Sequence, residues 1–96
     1  MKEAILDSYA AEAAAFKALG HPTRLFMVHR LGKKDTCVCE LTEMVGDDVS
    51  TISKHLSVLR AAGIVDSIRK GNQMIYRLKL RCVLNLSACA NFGKGK

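Results

Sequence analysis

Val49-Ser50-Thr51-Ile52-Ser53-Lys54-His55-Leu56-Ser57-Val58-Leu59-Arg60-Ala61-Ala62-Gly63-Ile64-Val65, residues 49–65, decides the fold. Val49, Ile52, Leu56 and Leu59 recur at spacings of three and four, which lines one face of a helix. Ser50 is a good N-cap residue, and the spacing predicts a helix from there through Ala62, stopped by Gly63. Just upstream, Val38, Leu41, Met44 and Val45 share one side of a short helix over Val38–Val45, which Gly46-Asp47-Asp48 breaks. Two helices therefore flank a tight turn.

Downstream the pattern changes to short β-prone runs. Ile64–Arg69 and Met74–Leu78, separated by Lys70-Gly71-Asn72-Gln73, predict a hairpin with a basic tip. Arg81–Phe92 returns to helical spacing through Val83, Leu84, Leu86, Ala88 and Ala90, and residues 93–96 form a frayed tail. Upstream, alanine-rich Glu3–Leu19 predicts a helix ended by Gly20. His21-Pro22-Thr23 starts the next, with Leu25, Val28 and Leu31 on one face and Gly32 as its stop, before the loop Lys33-Lys34-Asp35. The order is α-α-α-α-β-β-α, mainly α with a small β-hairpin. A basic hairpin directly behind a helix-turn-helix looks like a winged helix-turn-helix DNA-binding domain.

Composition agrees with one compact domain over residues 1–96. The chain has 96 residues, 49% of them hydrophobic and 25% charged, which fits neither disorder nor a fibrous repeat. Charge breaks every apolar stretch well before the roughly 18 residues of a membrane span, as Glu12 and Lys17 do in the alanine-rich segment. Acidic Glu3 and Asp7 stand where a secretory signal needs a basic start and an apolar core, so the expected location is cytoplasmic, with no membrane partner. Charge is segregated along the chain. Residues 1–48 hold 6 basic and 8 acidic side chains, net −2, whereas residues 49–96 hold 9 basic ones and Asp66 alone, net +8. A segregated positive surface favours an anionic partner, nucleic acid first.

Three stretches then carry a family resemblance. Ala18-Leu19-Gly20-His21-Pro22-Thr23-Arg24-Leu25, Cys37-Val38-Cys39-Glu40-Leu41 and residues 49–65 closely resemble the ArsR/SmtB family of metal-responsive repressors, over about residues 10–80. The Cys-Val-Cys-Glu-Leu element resembles its arsenic, antimony, cadmium and lead responsive members. The resemblance implies a homodimeric repressor that sits on double-stranded operator DNA and leaves when a thiophilic ion binds, As(III) or Sb(III) first, Cd(II) or Pb(II) as alternatives. The expected dimerisation helices are residues 1–19 and 81–92, because Tyr9, Phe16 and Leu84 exceed what one small subunit can bury.

For DNA, the exposed set at the start of the second helix-turn-helix element is Ser50, Thr51, Ser53, Lys54 and His55. Ser50 serves capping and contact alike, and His55 stands between contact with DNA and packing that positions the helix. The hairpin tip carries Arg69, Lys70, Asn72 and Gln73, which suit the phosphate backbone or minor groove.

Four cysteines stand at 37, 39, 82 and 89, in a compartment that keeps thiols reduced. Cys89 suits an apolar helix face, and Cys82, seven residues before it, lies nearly on the same side. Cys37 and Cys39 differ. Two residues apart on a helix, they point about 200° from each other, so a shared ion requires extended chain or an unwound first turn. A following helix N-terminus favours thiolate, and soft thiolates select soft ions. The third cysteine of some arsenic-responsive members is replaced here by Thr42, so Cys82 or Cys89, from either subunit, is the expected third ligand. The family's zinc site on the last helix has no counterpart, since Leu80 and Cys82 stand where oxygen and imidazole ligands belong. An alternative of the same fold is a redox or persulfide sensor, although the cysteine such members carry on the second helix is missing between Thr23 and Leu31. Cys37 with His21, His29 or His55 lacks any Gly-rich oxyanion or phosphate loop, so the expected class is not an enzyme.

Overall fold

The computed structural model describes residues 3–85 of the chain. In order it contains α1 (Glu3–Ser8), α2 (Ala10–Leu19), α3 (Pro22–Lys33), β1 (Thr36–Cys37), α4 (Val38–Val45), α5 (Val49–Ala61), β2 (Val65–Lys70) and β3 (Gln73–Leu78). The strands form an antiparallel sheet in the order β1-β3-β2, with Thr36 opposite Tyr76, Cys37 opposite Ile75 and Val65 opposite Leu78. This is a winged helix-turn-helix: α4 and α5 are the helix pair, and β2–β3 the wing.

The core sits where α3, α4 and α5 meet the sheet. Met27, Val28 and Leu31 of α3, Leu41 of α4, Ile52, Leu56 and Leu59 of α5, and Ile64 and Val65 at the start of the wing are all buried. Three residues assigned to apolar helix faces from spacing are instead exposed. Leu25 gives way to Met27 on α3, Met44 lies outside the core, and Val49 is 56% exposed in the first turn of α5. A three-four spacing admits neighbouring stripes, and packing selects among them.

Several boundaries move for identifiable reasons. The single helix expected over Glu3–Leu19 is two, interrupted at Tyr9, where the Ser8 hydroxyl donates to the Ile5 carbonyl at 2.6 Å and diverts the backbone ladder. Gly32 does not stop α3, which runs on to Lys33. A Cβ there would lie 2.8 Å from Cδ1 of Leu84, so the glycine serves close packing rather than termination. The N-cap of α5 is Asp48 rather than Ser50: the Asp48 carboxylate accepts from the Thr51 N–H at 2.9 Å and from the Ser50 hydroxyl at 3.1 Å. The wing turn is Gly71-Asn72, with Gly71 at φ +60°, and Lys70 and Gln73 belong to the strands. β1 is too short to have a periodicity and was absent from the sequence expectation. Of the helix expected over Arg81–Phe92, residues 83–85 begin a helical turn; the remainder, with Cys89 and the tail 93–96, lies outside the described residues.

Candidate functional site

Two sets of side chains carry chemistry. The first is the outer face of α5 with the wing. Ser50, Ser53 and Lys54 are exposed on the first turns of α5 and Thr51 is half-buried. Arg69, Lys70, Asn72 and Gln73 are exposed at the wing tip. Behind the tip, Arg77 makes a bidentate cross-strand pair with Asp66 at 3.0 and 3.2 Å, which holds the Asp66 carboxyl below its usual range and leaves the tip cations without a neighbouring counter-charge on the wing.

His55 departs from the other members of this set. Its ring lies 4.6 Å from that of His21, at a 54° tilt, and its Nδ1 is 3.3 Å from Arg24 Nη1. Burial first, then the charges of His21 and Arg24, push its pKa down, with Asp47 opposing. The ring is half-buried between His21 and Arg24.

The second set is the thiol pair. Cys37 is at once the last residue of β1 and the N-cap of α4, with extended backbone (φ −81°, ψ 159°), and Cys39 stands in the first helical turn. The strand-to-helix junction supplies the extended geometry that two cysteines at this spacing require, and their sulfurs lie 2.7 Å apart. Either thiol can donate to the other. The Cys39 thiol beside it lowers the Cys37 pKa, aided by the Glu40 N–H, and the same contact raises that of Cys39.

Around the sulfurs is a shallow recess lined by Cys37, Cys39, Glu40, Thr42 and Glu43. Thr42 thus occupies the recess, its hydroxyl committed to the Val38 carbonyl at 2.8 Å. Sequence reading missed Glu40 and Glu43, which make the recess acidic. Glu40 also reaches Arg30 of α3 at 3.5 Å, an ion pair three residues from Cys37 that the fold, not the local sequence, brings together. Cys82 is elsewhere: with Glu12, Phe16, Leu19 and Leu80 it lines an apolar groove along α2. Among the described residues no group of three His, Cys, Asp or Glu side chains converges within one chain. Two thiolates are a soft donor pair that fits a thiophilic ion, but an incomplete one.

The segment of α1 and α2 exposes large apolar side chains. Tyr9 is 60% and Phe16 53% exposed, together with Ile5 and Leu6. Among the described residues no helix is long and apolar enough to cross a membrane.

Residues 21–67 match the bacterial regulatory protein arsR family. The chain is 40% identical over 83 residues to the regulator Rv0081 of Mycobacterium tuberculosis, covering 85% of this chain and 73% of the relative. It is 39% identical over 72 residues to the cadmium resistance transcriptional regulatory protein CadC of Listeria innocua, covering 74% of this chain and 60% of CadC. It thus spans about three fifths of CadC. In structure it resembles the homodimeric winged helix-turn-helix DNA-binding domain Mb0332 of Mycobacterium bovis, with a TM-score of 0.85 at 21% identity, covering 95% of this chain and 87% of that one.

Proposed function

The chain belongs to the ArsR family of bacterial regulatory proteins, and on that premise we propose that it is a dimeric transcriptional repressor whose hold on operator DNA is loosened by a thiophilic ion at Cys37 and Cys39. As(III) or Sb(III) is the first choice of ion and Cd(II) or Pb(II) the alternative; the CadC relative and the acidic recess favour keeping the divalent ions in the test. The observation that carries this reading is the position of Cys37. Its backbone pairs with Ile75 of the wing through β1, and its side chain opens the first helix of the helix-turn-helix.

The bound ion would supply a soft acceptor that two thiolates share. The protein's own residues do the rest. Cys37 gives up its proton first, because the Cys39 thiol and the Glu40 N–H stabilise its anion. Holding both sulfurs on one ion works on the first turn of α4 and on the end of β1 together. Strain there reaches α5 through the α4–α5 packing, α3 through Glu40 and Arg30, and the wing through the β1–β3 pairing. In a dimer the two α5 helices read half-sites one turn apart, so a small change in their relation lowers affinity. The coupling expected is about 1–3 kcal/mol per site.

The third donor is assigned to Cys89 or to a cysteine of a second copy, since within one chain Cys82 lines the groove along α2 and not the recess. Dimerisation is assigned to the exposed apolar surface of α1 and α2, with 81–92 joining it; residues 1–96 act as one unit. On DNA, Ser50, Thr51, Ser53 and Lys54 face base edges and phosphates, and Arg69, Lys70, Asn72 and Gln73 the backbone beside them. A second reading, favoured by the adjacent sulfurs, is oxidative joining of the same pair by a peroxide.

The test is fluorescence anisotropy of reduced protein on a duplex from upstream of its own gene, comparing wild type with Cys37→Ser and Cys39→Ser. Both variants should bind DNA as wild type does and lose the response to arsenite, antimonite and cadmium. Release from either variant at wild-type ion concentration contradicts the assignment.

A further inference from the structure

Beside the apolar packing between α3 and α5, three polar side chains, Arg24, His21 and His55, meet. Arg24 can only donate. Its Nε donates to the Ala18 carbonyl at the end of α2, at 2.6 Å, and Nη1 lies 3.3 Å from His55 Nδ1, which therefore accepts. His21 caps α3 by accepting the Thr23 N–H on its own Nδ1 at 3.1 Å, and its ring lies against that of His55. An accepting Nδ1 leaves the single proton of each neutral ring on Nε2. Asp47, before α5, is the acidic group acting on His55.

We infer that Arg24 is a positioning residue for DNA binding: its guanidinium ties the end of α2 to His55 of the recognition helix and holds that imidazole as the Nε2–H tautomer. The inference rests on α5 being the DNA-reading helix. It extends that reading by naming a route from the dimerising region to DNA that avoids the thiol pair. One guanidinium fork spans both acceptors; an ammonium, with a single nitrogen, does not. Protonating His55 gives its Nδ1 a hydrogen and sets two donors against each other, so the link opens at acid pH. Because burial and the charges of His21 and Arg24 hold the His55 pKa below its ordinary value, the link is intact at neutral pH and is lost as pH falls through that lowered value.

The experiment combines two readouts on the full chain. Long-range 1H–15N NMR of the free protein at neutral pH should show His55 protonated on Nε2 and bare on Nδ1 in wild type, and mixed in Arg24→Met. A His55 protonated on Nδ1 in wild type overturns the inference whether or not DNA binds, which separates its failure from failure of the repressor reading. With the upstream duplex, Arg24→Met and His55→Gln should each weaken binding about tenfold, and the double variant no more than either alone, as expected of directly coupled residues. Arg24→Lys should match Arg24→Met, and the salt dependence of binding should keep its wild-type slope. Multiplicative losses, full binding by Arg24→Lys, or a slope reduced by about one, the signature of a direct phosphate contact, each overturn it.

Discussion

Helix α5, the proposed DNA-reading element, and the thiol junction between β1 and α4 are determined to very different degrees. α5 is fixed from every side within one chain: Ile52, Leu56 and Leu59 are fully buried, Asp48 caps its start, and Arg24 with His21 holds His55. The junction has two exposed or half-exposed sulfurs in contact with each other and no third donor among the described residues. The difference teaches where a switch can reside. A reading element needs one geometry, whereas a sensing element needs a geometry that a ligand can change, and an incomplete donor set at a strand-to-helix boundary meets that need.

The largest expected effect attacks the determined side. Leu56→Ala should lower stability by about 2–5 kcal/mol, read as an earlier thermal or urea transition, because it opens a cavity at a fully buried core position. If the loss is under about 1 kcal/mol, α5 is not the fixed element described. Next is the DNA face. Lys54→Ala and Lys70→Ala should each weaken duplex binding and reduce the salt slope by about one, with thermal stability unchanged; unchanged slopes would remove those residues from the interface.

A smaller effect concerns the cap. Asp48→Ala should lower the melting temperature by a few degrees. The N–H and hydroxyl of Thr51, with Ser50, hold the Asp48 carboxyl below its ordinary pKa. The cap is therefore fully present above the usual carboxylate range and is lost as pH falls through the lowered value, so the wild-type advantage over Asp48→Ala should vanish in strong acid. The smallest effect is that of Asp66→Asn, an exposed pair on the wing, which should leave the melting temperature nearly unchanged.

Sequence legibility followed the same divide. The bounds of α4 and the two wing strands were readable within a residue or so, because apolar spacing and turn residues are local signals. The cap on Asp48 was hidden because Ser50 and Asp48 are both good capping residues, and only backbone geometry chooses between them. The contacts that define the junction and the His55 site join residues far apart in the chain: Cys37 with Ile75, Arg30 with Glu40, Arg24 with His55. No periodicity reports such pairs. The Cys37–Cys39 spacing announced that an extended turn was needed, yet the two-residue strand that provides it was too short to announce itself.

The measurement that bears most directly on the central claim is anisotropy of the reduced wild-type protein on its upstream duplex, at fixed salt, titrated with arsenite. Release near one equivalent per site is the predicted result. Tight, sequence-specific binding that persists through excess arsenite, antimonite and cadmium would contradict a thiophilic-ion switch at Cys37 and Cys39.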